Sequence, residues 1–266
     1  MIIAPYRDDL NQIVILNPKG GCGKTTLATN LASYLALRGP PPMLIDNDPN
    51  GYTSRWLERR PPDRCKIHGV TDYKYMMFGK HVRPSQIPHE TETVIIDTPA
   101  ALGRQEILTL TRNADCILVP ILPSAFDIHY ASTFVAELLV LTQFERPIAV
   151  VANRTQQNTH SLDLLMRMLA DLETPTIAVL RNSQNYVQAA DLGLGIYEMP
   201  PHKVRQDVAQ MDLIVNWLDR LLMLLDAVIG FRLVSSRIRT AVPAAQLARG
   251  KRRTEWTGRA SLDSSR

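Results

Sequence analysis

Asn17-Pro18-Lys19-Gly20-Gly21-Cys22-Gly23-Lys24-Thr25-Thr26 stands directly after the apolar run Ile13–Leu16 and opens the helical pattern Thr25–Arg38. Glycines at 20, 21 and 23 let the backbone turn its N–H groups inward around phosphate oxygens, and the helix N-terminus behind them adds a favourable dipole. In such a loop Lys24 reaches the β- and γ-phosphates of a nucleotide while the Thr25 hydroxyl ligates Mg2+. Measured against G-x-x-x-x-G-K-[ST], the loop has Pro18 in place of the first glycine and carries a second lysine, Lys19. A glycine-rich turn with incidental lysines is the bland alternative. The order of strand, loop and helix argues against it.

Working outward, short β-rich runs alternate with helical patterns as far as about residue 200. The runs are Ile13–Leu16, Met43–Ile45, Val94–Ile96, Ile117–Leu122, Ile148–Ala152 and Ile177–Leu180. Nearly unbroken Ile/Val/Leu content marks strands buried on both faces, the sign of a parallel sheet covered by helices. Leu27, Leu31 and Leu35 share one face of the first helix, and Gly39 stops it. Residues 127–141 and 161–172 read as crossover helices. A long apolar helix over 204–228 sets Val208, Met211, Val215, Leu218, Leu222 and Leu225 on one stripe, suited to packing on the sheet. The expected fold is α/β: a doubly wound, mostly parallel sheet with helices on both faces.

Composition excludes other classes. Hydrophobic residues at 45% and charged residues at 21% fit neither wholesale disorder nor a fibrous repeat. Cys22, Cys65 and Cys116 are too few and scattered for a disulfide framework, which points to a reducing cytoplasm. The first twelve residues, broken by Pro5, Arg7, Asp8 and Asp9, read as neither signal peptide nor membrane span. The six histidines show no ligand spacing. Formal charge is +4, yet residues 231–266 hold nine Lys/Arg against two acidic residues, so the rest of the chain is net acidic. The chain thus divides into a domain over 1–230 and a basic tail over 231–266, either a polyanion-binding arm or a solvated tail with no partner.

The segment Lys19–Thr26 resembles the deviant phosphate loop of the ParA/MinD ATPases, and the likeness extends over about residues 11–220. Leu44-Ile45-Asp46-Asn47-Asp48-Pro49-Asn50-Gly51 is similar to that family's first switch segment, and Val94-Ile95-Ile96-Asp97-Thr98-Pro99-Ala100 to its second. The resemblance implies ATP and Mg2+ as cofactors, with Gly20, Gly21, Cys22, Gly23, Lys24, Thr25 and Thr26 around the nucleotide and Thr25 and Asp97 at the metal. It implies that Lys19 reaches across a homodimer to the partner's nucleotide, and that Asp48 positions or activates the attacking water, a loop cap being the alternative for Asp48. Asp46 suits either a place beside the metal's water shell or a loop cap. Asn153 resembles an adenine-reading asparagine, since its amide offers both a donor and an acceptor, and an Asx turn is the alternative. Asp127 suits the dimer interface or, more simply, a helix N-cap.

The loop begins near residue 19, which leaves no room before it for a DNA-reading helix-turn-helix, so sequence-specific operator binding is not expected. Asn17–Lys19, Leu122–Ile128 and Gly193–Glu198 look most similar to the small ParA-type proteins that position carboxysomes on the nucleoid. That resemblance implies a cytoplasmic, nucleoid-associated ATPase without an integral membrane segment. It would bind DNA non-specifically, with Arg181, Lys203 and Arg205 as candidate contacts, and answer to a cargo adaptor that is ParB-like or carboxysome-associated. Plasmid or chromosome partition with a ParB-like partner is the main alternative. A MinD-like membrane role is another, because Phe231, Val234, Ile238 and Val242 fall near helical spacing among arginines. An amide synthetase built on the same loop would need a further glutamine-handling domain, for which little length is left.

Overall fold

The computed structural model describes residues 10–71, 87–156, 159–171 and 174–240. Seven strands form one sheet: β1 (Asn11–Ile15), β2 (Met43–Asp46), β3 (His68–Thr71), β4 (Thr93–Asp97), β5 (Cys116–Ile121), β6 (Ile148–Thr155) and β7 (Thr176–Arg181). Their order is β3-β2-β4-β1-β5-β6-β7. Every pair in the sheet is parallel. The chain moves outward from β1 to one side, returns through β4, and then crosses to β5 on the other side of β1. Ligands in open α/β sheets bind at such a reversal, beyond the carboxyl ends of the strands.

Helices α1 (Lys24–Arg38), α2 (Tyr52–Arg59), α3 (Arg104–Thr111), α4 (Ala125–Leu141), α5 (His160–Asp171), α6 (Gln184–Asp191) and α7 (Pro201–Thr240) cover both faces. The period-2 geometry of a strand divides its side chains between two cores. Val14, Leu16, Ile45, Ile96 and Val119 pack with α3, α4 and α5 through Leu110, Val135, Leu138 and Leu165. Ile13, Ile15, Leu44, Ile95 and Leu118 pack with α1 and α7 through Leu27, Leu31, Met211, Ile214, Val215 and Leu218. The stripe expected on the long helix is therefore buried at Met211, Val215 and Leu218, with Val208 partly so.

Contacts divide the chain into two compact units, Met1–Leu222 and Met223–Arg266. The expected basic tail falls within the second unit, and from residue 241 onward it lies outside the described residues. Among the described residues no helix is long and apolar enough to cross a membrane.

One buried ion pair fixes α2 against the rest of the fold. Arg60 donates to Glu198 through Nη2 at 2.7 Å and Nη1 at 2.9 Å. Ser33 Oγ and the Gly195 amide also donate to Glu198, at 2.7 and 2.8 Å. Burial pulls the Glu198 carboxyl upward, but the donors from Arg60, Gly195 and Ser33 outweigh it and hold the group below its ordinary value.

Candidate nucleotide site

The loop between β1 and α1 is pinned from below by the sheet. Asn17 Nδ2 donates to the Pro120 carbonyl at 2.8 Å, and Asn17 Oδ1 accepts from the Lys19 amide at 2.9 Å. Gly21 and Gly23 have φ of 75° and 100°, a region that favours glycine. At Gly23 a Cβ would also meet the side-chain amide of Asn153, which would have to shift to make room. Lys24 is buried and arches back over the loop, donating to the carbonyls of Asn17 at 2.8 Å and Lys19 at 2.9 Å.

Above the loop lies a cleft of about 620 Å³ lined by Gly20, Gly21, Gly23, Lys24, Thr25, Thr26 and Asp48, together with α2 residues that include Arg55 and Trp56. The expected phosphate cradle and the expected water-positioning carboxylate are thus brought to one cavity of ordinary ligand size. Asp48 is half-buried there, and its Oδ1 accepts from the Asn50 backbone and side chain, both at 2.9 Å.

Asp46 and Asp97 are register neighbours at the ends of β2 and β4. Asp97 is fully buried, and its Oδ2 accepts from Thr25 Oγ1 at 2.7 Å and Thr53 Oγ1 at 2.6 Å. Its Oδ1 has no hydrogen-bond partner among the described residues. Burial pushes this carboxyl up to about 7 against the lowering effect of the two hydroxyls. A buried carboxylate oxygen without a donor, next to the first threonine of a phosphate loop, fits a hard divalent cation. Asp46 is also buried, and its carboxylate is committed to the chain. It accepts from Ser54 N at 2.8 Å, Ser54 Oγ at 2.7 Å and Asp48 N at 3.1 Å. This makes Asp46 the organiser of the Asp48 loop.

Cys22 lies beneath the loop, 1% exposed, with Sγ donating to the Lys19 carbonyl and its thiol pushed up by burial. Asn153 lies beneath it too. Its Nδ2 donates to the Cys22 carbonyl at 2.8 Å, and its Oδ1 accepts from the Arg154 amide at 2.8 Å. The run expected to end at Ala152 continues to Thr155 through a register shift, with Arg154 at φ 50°. This irregularity turns Asn153 toward the loop and Arg154 into the cleft lining. The asparagine here braces the phosphate loop, and its amide is engaged within the chain.

Lys19 does not line its own cleft. Its ammonium pairs with Asp127, whose carboxylate also accepts from Ser124 Oγ. The N-cap of α4 is Ser124, with Asp127 one turn in, which corrects the simpler reading of Asp127 as the cap. Among the candidate DNA contacts, Lys203 and Arg205 are exposed in the first turns of α7. Arg181 is not a free cation. It holds buried Asp207 bidentately, through Nε at 2.6 Å and Nη2 at 2.9 Å. Burial pulls Asp207 upward, but Arg181 and Asn185 outweigh it and keep the carboxyl low. The pair engages two of the five N–H donors of the guanidinium and balances its charge, so Arg181 acts first as the counter-ion of Asp207.

A family model described as the CobQ/CobB/MinD/ParA nucleotide binding domain matches residues 13–196. The chain belongs to this family. One relative in it is the maintenance of carboxysome distribution protein A of Halothiobacillus neapolitanus, 27% identical over 191 residues that cover 70% of this chain and 87% of that protein. Among solved structures, apo McdA of Cyanothece matches with a TM-score of 0.57 and 18% identity over 75% of this chain and 99% of the other. A plasmid partition protein of Borrelia burgdorferi bound to AMPPNP matches with a TM-score of 0.59 and 13% identity, covering 78% of this chain and 99% of that one. These likenesses show a shared fold.

Sequence reasoning missed Thr53, Ser54, Arg55 and Arg154. For Ser54 a signal was present, since a carboxylate shortly before a helix commonly accepts from a first-turn amide, as Asp46 does from Ser54 N. Arg154 gave none, because its direction depends on an irregular register between β6 and β7.

Proposed function

We propose that the chain is a nucleotide-gated switch: ATP with Mg2+ drives formation of a homodimer, the dimer holds DNA without sequence preference, and a partner protein on a cargo stimulates hydrolysis and releases it. Supporting this reading above all is the second lysine. Lys19, with 41% of its side chain exposed, stands outside the lining of its own cleft, and its ammonium, held by Asp127 in the single chain, would exchange that carboxylate for phosphate oxygens of a neighbouring cleft. Thr25 and Asp97 are the residues that would hold magnesium, which when bound neutralises charge on the β- and γ-phosphate oxygens. Lys24 exchanges its two loop carbonyls for phosphate oxygens. Asp48 holds and orients the attacking water at the open side of the cleft, accepting its proton as the bond to the γ-phosphorus forms and the bond from that phosphorus to the bridging oxygen breaks, with ADP leaving.

Lys24→Ala tests the cradle. Charge-assisted hydrogen bonds contribute roughly 1.5–3 kcal/mol each, so affinity for a fluorescent ATP analogue should fall about 10- to 150-fold. Affinity within a factor of two of wild type would remove the nucleotide reading.

For cargo, the likeness to a carboxysome distribution protein supports a carboxysome or similar body. A ParB-like partner that accelerates turnover would instead place the chain in plasmid or chromosome partition. For DNA, each lost phosphate contact lowers the log–log salt slope by about 0.9. Lys203→Ala with Arg205→Ala should flatten that slope for the ATP-loaded protein without changing its thermal midpoint. Arg181→Ala should chiefly lower the midpoint, because it strands buried Asp207. An unchanged slope in the double variant would move DNA binding elsewhere, with the basic segment 231–266 the next to be truncated. Binding to anionic vesicles rather than DNA would favour the MinD-like membrane role.

A further inference from the structure

We propose that Thr53 is a positioning residue that couples the loop carrying Asp48 to the carboxylate of Asp97; the inference rests on the nucleotide reading above. Buried threonines on or closing a helix ordinarily bond a carbonyl one turn back, unlike Thr91, Thr98 and Thr155 on loops and strands, which reach distant carbonyls. Thr29 donates to the Thr25 carbonyl, Thr111 to Ile107 and Thr142 to Leu138, each one turn back. Thr53 does otherwise. It is fully buried in the first turn of α2, and its hydroxyl crosses to Asp97 Oδ2 at 2.6 Å, a residue at the end of β4.

That oxygen also takes the Thr25 hydroxyl of the phosphate loop, so Thr25 on α1 and Thr53 on α2 share one acceptor. Ser54, the next residue, fastens the same turn to Asp46 through its amide and hydroxyl, and Asp46 in turn accepts from the Asp48 amide. The first turn of α2 is thereby tied to two neighbouring strand-end carboxylates, and Asp48 hangs from it through Gly51, whose φ is 65° and whose amide donates to the Asp48 carbonyl at 2.9 Å. When Thr25 gives up Asp97 to ligate a cation, Thr53 is the donor that stays on Oδ2. Occupation of the metal position is then transmitted to the water-orienting loop through a single hydroxyl.

Hydrogen exchange on the full chain tests this, with Mg2+ and AMPPNP as the probe compared with the nucleotide in EDTA. In wild type and in Thr53→Ser, amides of residues 19–27 and of residues 47–57 should both slow. In Thr53→Val, which keeps the shape and loses the hydroxyl, residues 19–27 should remain protected while residues 47–57 lose the Mg2+-dependent part. Turnover should drop roughly tenfold at nearly constant KM, the scale of one hydrogen bond to a charged group. Equal protection of residues 47–57 in Thr53→Val and wild type would overturn the coupling, as would loss of it in Thr53→Ser. Absence of protection at residues 19–27 in wild type would overturn the nucleotide reading itself. If Thr53→Val fails to fold, Thr53→Ala serves in its place under the same criteria.

Discussion

Asp48→Ala is expected to bind ATP as tightly as wild type and to hydrolyse it about 10²–10⁴-fold more slowly, the range over which a positioned general base contributes. The cradle does not depend on this side chain. Gly20, Gly21, Gly23, Lys24 and Thr25 line the cleft from α1 and its loop, whereas Asp48 enters from the loop after β2. Among the described residues its carboxylate is anchored only by Asn50, so its removal leaves the buried network of Asp46, Ser54, Thr53 and Asp97 in place. Single-turnover hydrolysis with a parallel binding titration separates the two effects. Unaltered turnover would assign water positioning to another group, and Asp46 would be examined next.

The second large effect concerns stability. Glu198→Ala is expected to cost about 3–5 kcal/mol, because it leaves the Arg60 guanidinium buried without its counter-charge. The side chains of Arg60 and Glu198 are only 7% and 1% exposed. The denaturant midpoint of Glu198→Ala against wild type measures the cost, and a loss under about 1 kcal/mol would show that water or a rearranged loop replaces the carboxylate. The same pair sets a pH dependence. Glu198 and Asp207 are both held below their ordinary values in the folded chain, so the stability they supply is present above the ordinary carboxylate range. It is lost as pH falls through that range and below it, when both must take up protons to stay buried.

Much of this could be read directly from the residues. Six nearly unbroken Ile/Val/Leu runs announce a parallel sheet because nothing else buries both faces of a strand so completely. The phosphate loop is equally plain, since its glycines, lysine and threonine are consecutive. What stayed hidden depends on contacts distant in sequence. Edge strand β3 and helices α2, α3 and α6 are short, four to eight residues each, and carry few apolar positions. Arg181 reads as an available cation until Asp207, a helix away, is found beneath it. Asn153 reads as a base-recognition amide until the irregular end of β6 turns it under the loop. Thr53 is one threonine among many until its hydroxyl is found on Asp97. In each case the decisive partner lies 26 to 131 residues away along the chain.

The central claim is that nucleotide state sets assembly state through Lys19. Multi-angle light scattering of the wild-type chain and of Lys19→Ala, each with Mg2+-ATP and with Mg2+-ADP, tests it most directly. Wild type should double its mass with ATP and remain single with ADP. Lys19→Ala should bind ATP yet stay at the mass of one chain, since only the partner's cleft has lost a charge. An ATP-dependent doubling of Lys19→Ala equal to wild type would contradict the account.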